Sequence, residues 1–165
     1  MAKKAKGSSG TPATLTLDRT GIAYSVHSYE HDPAAVGYGL EAAEALGLPP
    51  EQVFKTLLAD TDAGTVVGLV PVTGNLDLKA LAGAVGAKKA TMADPSAAER
   101  LTGYVVGGIS PIGQKRRLVT VVDDSALIQS IVYVSGGRRG LDLGIAPADL
   151  VAVLDATTAR IRRDR

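Results

Sequence analysis

The chain of 165 residues, 45% of them hydrophobic and 21% charged, has the size of one ordinary domain and argues against intrinsic disorder. It holds no cysteine, which excludes a thiol nucleophile of its own, a disulfide framework and any thiolate metal site. The net charge of +1 names no partner, and no apolar run approaches about 18 residues, so a cytoplasmic protein with no membrane segment is expected.

Residues 1–10, rich in Lys, Gly and Ser, read as a flexible tail, and structure is expected from Thr11-Pro12, a helix cap followed by proline in the first turn. That helix should stop at Gly21. In a following strand Tyr24, Val26 and Ser28 would share one face, with Ser25, His27 and Tyr29 on the other. A short helix over 40–46 ends at Gly47. The aliphatic and β-branched runs 53–58 and 65–70 flank Asp60-Thr61-Asp62-Ala63-Gly64 and read as a hairpin. Leu78, Leu81, Ala82 and Val85 fall on one helical stripe closed by Gly86, and Asp94-Pro95 opens another helix that ends at Gly103.

Beyond it, 104–106, 118–122, 131–134 and 141–145 read as strands, 107–113 and 136–140 as glycine loops, and 147–154 as a closing helix. Strands and helices mixed without sustained alternation predict a mixed α/β fold, a sheet or half-barrel rather than a doubly wound sheet.

Charge is unevenly distributed. Residues 1–6 carry +3, residues 7–82 carry −6 and residues 83–165 carry +4. The basic excess gathers at Lys88-Lys89, Lys115-Arg116-Arg117, Arg138-Arg139 and residues 160–165, a pattern that suits a polyanion or, more plainly, solvated loops.

Two familiar catalytic motifs fail on inspection. In Gly108-Ile109-Ser110-Pro111-Ile112-Gly113-Gln114-Lys115 the lysine does not follow the second glycine as a phosphate loop requires, and Ile112 stands where a nucleophile elbow needs glycine. A glycine-rich loop still lets a backbone approach a ligand and aim N–H groups at it. Lys55 interrupts an otherwise apolar strand, where its ammonium needs an anion or a cleft, unless it is a gatekeeper on an edge. Asp142 sits among apolar neighbours and could hold a substrate ammonium or pair with Arg138 or Arg139. Tyr29 and Tyr38 flank a Gly- and His-containing stretch and could line a pocket or the core. With His27 and His31 the only histidines, no metal cluster is expected.

Read together, Glu41-Ala42-Ala43, Val53-Phe54-Lys55-Thr56-Leu57, Leu76-Asp77-Leu78-Lys79-Ala80-Leu81-Ala82, Thr102-Gly103-Tyr104-Val105-Val106-Gly107-Gly108-Ile109-Ser110-Pro111-Ile112-Gly113 and Val134-Ser135-Gly136-Gly137-Arg138-Arg139-Gly140-Leu141-Asp142 closely resemble the YbaK/EbsC family of aminoacyl-tRNA deacylases. The resemblance implies the editing-domain fold found within bacterial prolyl-tRNA synthetases, a mixed, mostly antiparallel sheet or partial barrel with surrounding helices. It would occupy 11–158, leaving 159–165 as a basic extension. It also implies trans-editing: removal of cysteine from Cys-tRNA(Pro), with the substrate's own thiol attacking its ester to give a thiolactone.

Carried onto this sequence, the resemblance makes Lys55 and Gly107 catalytic and Tyr29, Tyr38, Thr56, Gly108, Ser135 and Asp142 substrate-binding. It implies no metal and no cofactor, with mischarged tRNA and prolyl-tRNA synthetase as partners. On this expectation Lys55 supplies positive charge near the reacting ester or the terminal adenosine, the Gly107-Gly108 backbone receives developing negative charge, and Asp142 binds the α-ammonium. The competing readings are an Ala-tRNA(Pro) deacylase that uses water and a non-catalytic tRNA- or synthetase-binding module.

Overall fold

The computed structural model describes residues 10–34 and 37–164. Helix α1 (Pro12–Thr20) begins at a reciprocal cap: Thr14 N–H donates to Thr11 Oγ1 at 3.2 Å and Thr11 N–H to Thr14 Oγ1 at 3.0 Å. It ends at Gly21, whose φ of 73° suits a residue without Cβ. Thereafter come β1 (Ser25–Ser28), α2 (Tyr38–Leu46), β2 (Phe54–Thr61), β3 (Gly64–Pro71), β4 (Gly74–Leu76), α3 (Leu78–Ala84), β5 (Ala90–Met92) and α4 (Pro95–Thr102). The remainder is β6 (Val119–Asp123), β7 (Val132–Ser135), β8 (Leu141–Ile145), α5 (Pro147–Leu154), β9 (Thr157–Ala159) and β10 (Arg162–Asp164).

The strands form three sheets: a mixed five-stranded one in the order β5-β2-β3-β6-β9, an antiparallel β1-β8-β7, and the pair β10-β4. Only β3-β6 and β6-β9 are parallel pairs within them, and a single parallel bridge, Val53 to Tyr133, joins the two larger sheets without closing a barrel. The expected mixed α/β architecture is therefore present.

Strand β3 shows why the pattern folds this way. Its residues are apolar on both faces: Val67 and Leu69 pack with Leu17, Leu143 and Leu150 on one side, while Val66 and Val70 pack with Leu81, Val121 and Ile161 on the other. Gly68 lets the second layer come close, since a Cβ there would stand 3.1 Å from the Leu76 side chain.

The small sheet sends one face into the main core. Val132, Val134, Leu143 and Ile145 enter the core. The register pairs His27 and Ser135 with Asp142, and Ser25 and Tyr133 with Gly144, so these residues share the opposite face. Ser135 and Asp142 stand on that face.

Two sequence expectations need correction. Residues 104–106 are a turn rather than a strand, because their polar groups are taken up locally: Tyr104 N–H donates to Thr102 Oγ1, Tyr104 hydroxyl to the Ile112 carbonyl, and Val106 N–H to a Glu99 carboxylate oxygen. Residues 159–164, expected within a basic extension, are folded onto the domain. Ile161 is fully buried, β10 pairs with β4, and buried Asp123 accepts hydrogen bonds from Ile161 N–H, Arg162 N–H and the Arg162 guanidinium at 2.9–3.0 Å.

Candidate active site

A cavity of about 310 Å³ opens where the first half of β2 faces α2, the start of α4, the 104–113 loop and the polar face of β7-β8. Lys55, Thr56, Tyr29, Tyr38, Gly107, Ser135 and Asp142 all line it. Residues separated by up to 113 positions in sequence are thus brought to one place, which the resemblance implied and no local pattern could.

Strand β2 presents Lys55 and Thr56 because its pairing is asymmetric there. It is bonded to β3 throughout, but β5 covers only Ala59 to Thr61, so the Lys55 segment keeps an open edge beside the cavity. The lysine is therefore neither enclosed by strands on both edges nor out on a solvated rim. By strand alternation Thr56 lies on the face of Phe54 and Leu58, both core residues, and its hydroxyl oxygen is buried with no hydrogen-bond partner among the described residues. A hydroxyl left unpaired in an apolar wall is costly unless a ligand completes it.

Strand β8 presents Asp142, buried between β1 and β7. It pairs with neither Arg138 nor Arg139; among the described residues its carboxylate has no ionic or hydrogen-bonded partner, and burial pushes its pKa up to about 7. Beside it, burial raises the Tyr29 hydroxyl to about 12, with the negative charges of Asp142 and Glu41 adding to the effect. Tyr29 is held by its N–H, which donates to the Gly140 carbonyl at 2.9 Å. Ser135 Oγ accepts from Gly137 N–H at 3.2 Å, which shapes the turn leading to Asp142.

The glycine loop contributes differently from expectation. Gly107 lines the cavity at φ 89°, and a Cβ there would lie within 2.9 Å of both the Tyr38 ring and Arg139 Nε. Gly108 does not line it. Its N–H closes a turn onto the Val105 carbonyl at 2.9 Å, and a Cβ would meet the Arg138 backbone at 2.7 Å. Of the Gly107-Gly108 pair expected to offer N–H donors, the Gly108 N–H is thus already engaged within the loop.

Sequence reading placed Glu41 only in a block of the resemblance and did not single out Glu99; Glu41 accepts from Asp32 N–H at 2.7 Å and meets His31 Nδ1 at 2.9 Å. It placed Arg139 only in a charge cluster or beside Asp142, whereas Arg139 bonds the Val106 carbonyl and lies over the Tyr38 ring. Among the described residues no group of three or more His, Cys, Asp or Glu could hold a metal ion, and no helix is long and apolar enough to cross a membrane.

The family model for the aminoacyl-tRNA editing domain matches residues 34–153, the span that contains every cavity-lining residue except Tyr29. The chain belongs to this family. Among curated relatives, the "Putative Cys-tRNA(Pro)/Cys-tRNA(Cys) deacylase EbsC" of Enterococcus faecalis is 33% identical over 162 residues, 98% of each chain. A proline–tRNA ligase of Desulforamulus reducens is 32% identical over 93 residues, which are 56% of this chain and 16% of the ligase. Among solved structures, a "putative trans-editing enzyme for prolyl tRNA synthetase" matches with TM-score 0.82 and 26% identity, over 96% of this editing domain and 99% of that chain. The editing-domain protein is an aminoacyl-tRNA deacylase by this membership, and its fold is the one the sequence resemblance implied.

Proposed function

We propose that the protein clears cysteine from mischarged Cys-tRNA(Pro), with the cysteine thiol of the substrate as nucleophile. The observation that carries this reading is the buried, unpartnered Asp142 carboxylate on the wall of the cavity that Lys55 also lines. A carboxylate with that surrounding is completed by an ammonium ion, and an aminoacyl ester brings one next to its reactive carbonyl.

With the α-ammonium on Asp142, the ester carbonyl lies near Lys55 and Gly107. A thiol of ordinary pKa, about 8.5, needs only a modest shift to supply thiolate at neutral pH, and the Lys55 ammonium provides it. The sulfur bonds to the carbonyl carbon, the ester C–O bond breaks, and the ribose oxygen of the terminal adenosine leaves with the proton the thiol gave up. The products are a cyclic thiolactone and deacylated tRNA, and no water is consumed. Gly107 N–H stabilises the oxygen that becomes negative as sulfur adds. Discrimination in this scheme is chemical: a near-isostere that binding energy alone cannot reject is removed because it carries the nucleophile.

The protein has no cysteine, and its two histidines lie outside the cavity lining, which agrees with a nucleophile brought by the substrate. Prolyl-tRNA synthetase is the proposed source of the mischarged tRNA. The test compares tRNA(Pro) carrying cysteine, serine or alanine. Rapid release confined to cysteine is expected; comparable release of alanine would identify water as the nucleophile, and release of none would contradict deacylation.

A further inference from the structure

The loop that carries Gly107 into the cavity is held at three backbone points. Glu99 accepts from Val106 N–H at 2.8 Å, Arg139 Nε–H donates to the Val106 carbonyl at 2.8 Å, and Gly108 N–H donates to the Val105 carbonyl at 2.9 Å. Of the amides of Val106, Gly107 and Gly108, that leaves Gly107 N–H as the one without an acceptor among the described residues.

The peptide between Val106 and Gly107 is trans and planar, so its N–H points opposite to its C=O. Arg139 lies outside the cavity lining, whereas Val106 and Gly107 line it. A carbonyl drawn toward Arg139 therefore turns the Gly107 N–H away from the guanidinium. A cationic donor on the carbonyl also polarises the amide and strengthens its N–H as a donor. The guanidinium is fixed in turn by the Tyr38 ring, whose centroid is 5.2 Å from its central carbon.

We infer that Arg139 is a positioning residue for the deacylation: through the Val106 carbonyl it aims and polarises the Gly107 N–H that receives developing negative charge. This rests on the reading given under Proposed function. It also assigns the exposed arginine a role other than holding tRNA phosphate, the obvious alternative for a cation beside the cavity mouth.

The experiment measures kcat, KM and the salt dependence of KM for release of cysteine from Cys-tRNA(Pro) by the wild type, Arg139→Ala and Arg139→Gln. The glutamine amide keeps an N–H donor for the Val106 carbonyl and loses the charge. Arg139→Ala is expected to lower kcat about tenfold to a hundredfold with KM changed less than about twofold, and Arg139→Gln to recover part of the lost kcat.

A rise in KM at unchanged kcat, equal in both variants and with a salt slope lower by about one, would make Arg139 a phosphate contact and overturn the inference. Wild-type rates in Arg139→Ala would overturn it too. A wild type that releases no amino acid from any aminoacyl-tRNA(Pro) would overturn the deacylase reading and this inference together. Arg139 is exposed, and a thermal melt of each variant separates an altered rate from an unfolded protein.

Discussion

Asp142 is the residue at which stability and function oppose each other most directly. Its carboxyl, raised by burial to about 7, stays protonated in the folded protein over a pH range in which the unfolded chain has already ionised. The sign follows: below about pH 4 both states hold the proton and Asp142 is neutral to stability, and between there and about 7 its burial progressively destabilises the fold. Asp142→Asn is therefore expected to melt with the wild type at pH 4 and above it at pH 7.5. The same variant should lose deacylation, because an amide cannot pair with the substrate ammonium. Wild-type activity in Asp142→Asn would remove the ammonium anchor from the account. At Gly107 the positive φ and the crowding by Tyr38 and Arg139 act together, so Gly107→Ala should lower kcat about 10²-fold, measured beside a melting temperature that reports any wider disturbance.

Elements set by local signals were legible in the sequence. The Thr11-Pro12 cap, the 53–70 hairpin, the stripe of α3 and the Asp94-Pro95 start of α4 all stand where caps, turns and periodicity put them. What stayed hidden depends on long-range pairing. Strands β4, β5, β9 and β10 have three residues each, too few for a period, and exist because a neighbouring edge accepts them. Tyr104-Val105-Val106 has strand-forming residues and no strand partner, so tertiary hydrogen bonds, donated to Glu99 and accepted from Arg139, prevail over propensity.

The grouping of Lys55, Gly107 and Asp142 came from resemblance and not from any local pattern, and Arg139 was hidden because a backbone carbonyl carries no sequence signature. The clasp at Asp123 is testable at this scale. Burial alone would raise its pKa, but hydrogen bonds from Ser125, Ile161 N–H and Arg162 hold it below the ordinary carboxylate value. The stability it gives is present above about pH 4 and lost as pH falls through that lowered value. Asp123→Ala should cost about 1–3 kcal/mol in denaturant unfolding at pH 7, since it leaves the buried Ile161 N–H and the half-buried Arg162 N–H without their acceptor, while the Arg162 guanidinium keeps Asp124. Asp123 is not part of the cavity lining, so the rate per folded molecule should not change.

For the molecule as a whole, the fold sorts the basic clusters that the sequence merely enumerated. Arg162 is engaged with Asp123 and Asp124 at 2.9 Å, so this member of the last cluster serves the fold, whereas the Arg160–Asp164 pair at 4.0 Å is exposed and contributes little. Lys115 and Arg116 instead hang on backbone hydrogen bonds to the end of α4, the helix whose beginning lines the cavity. Replacing both with alanine should weaken tRNA binding and lower the slope of log affinity against log salt by about two, with kcat unchanged; an unaltered slope would take these side chains off the tRNA path.

The most direct measurement follows release of amino acid from Cys-tRNA(Pro) and Ala-tRNA(Pro) by wild type and Lys55→Ala side by side. The account predicts rapid loss of cysteine alone by the wild type and a rate about 10²-fold lower in Lys55→Ala. Full activity in Lys55→Ala, or equal loss of alanine and cysteine, would contradict it.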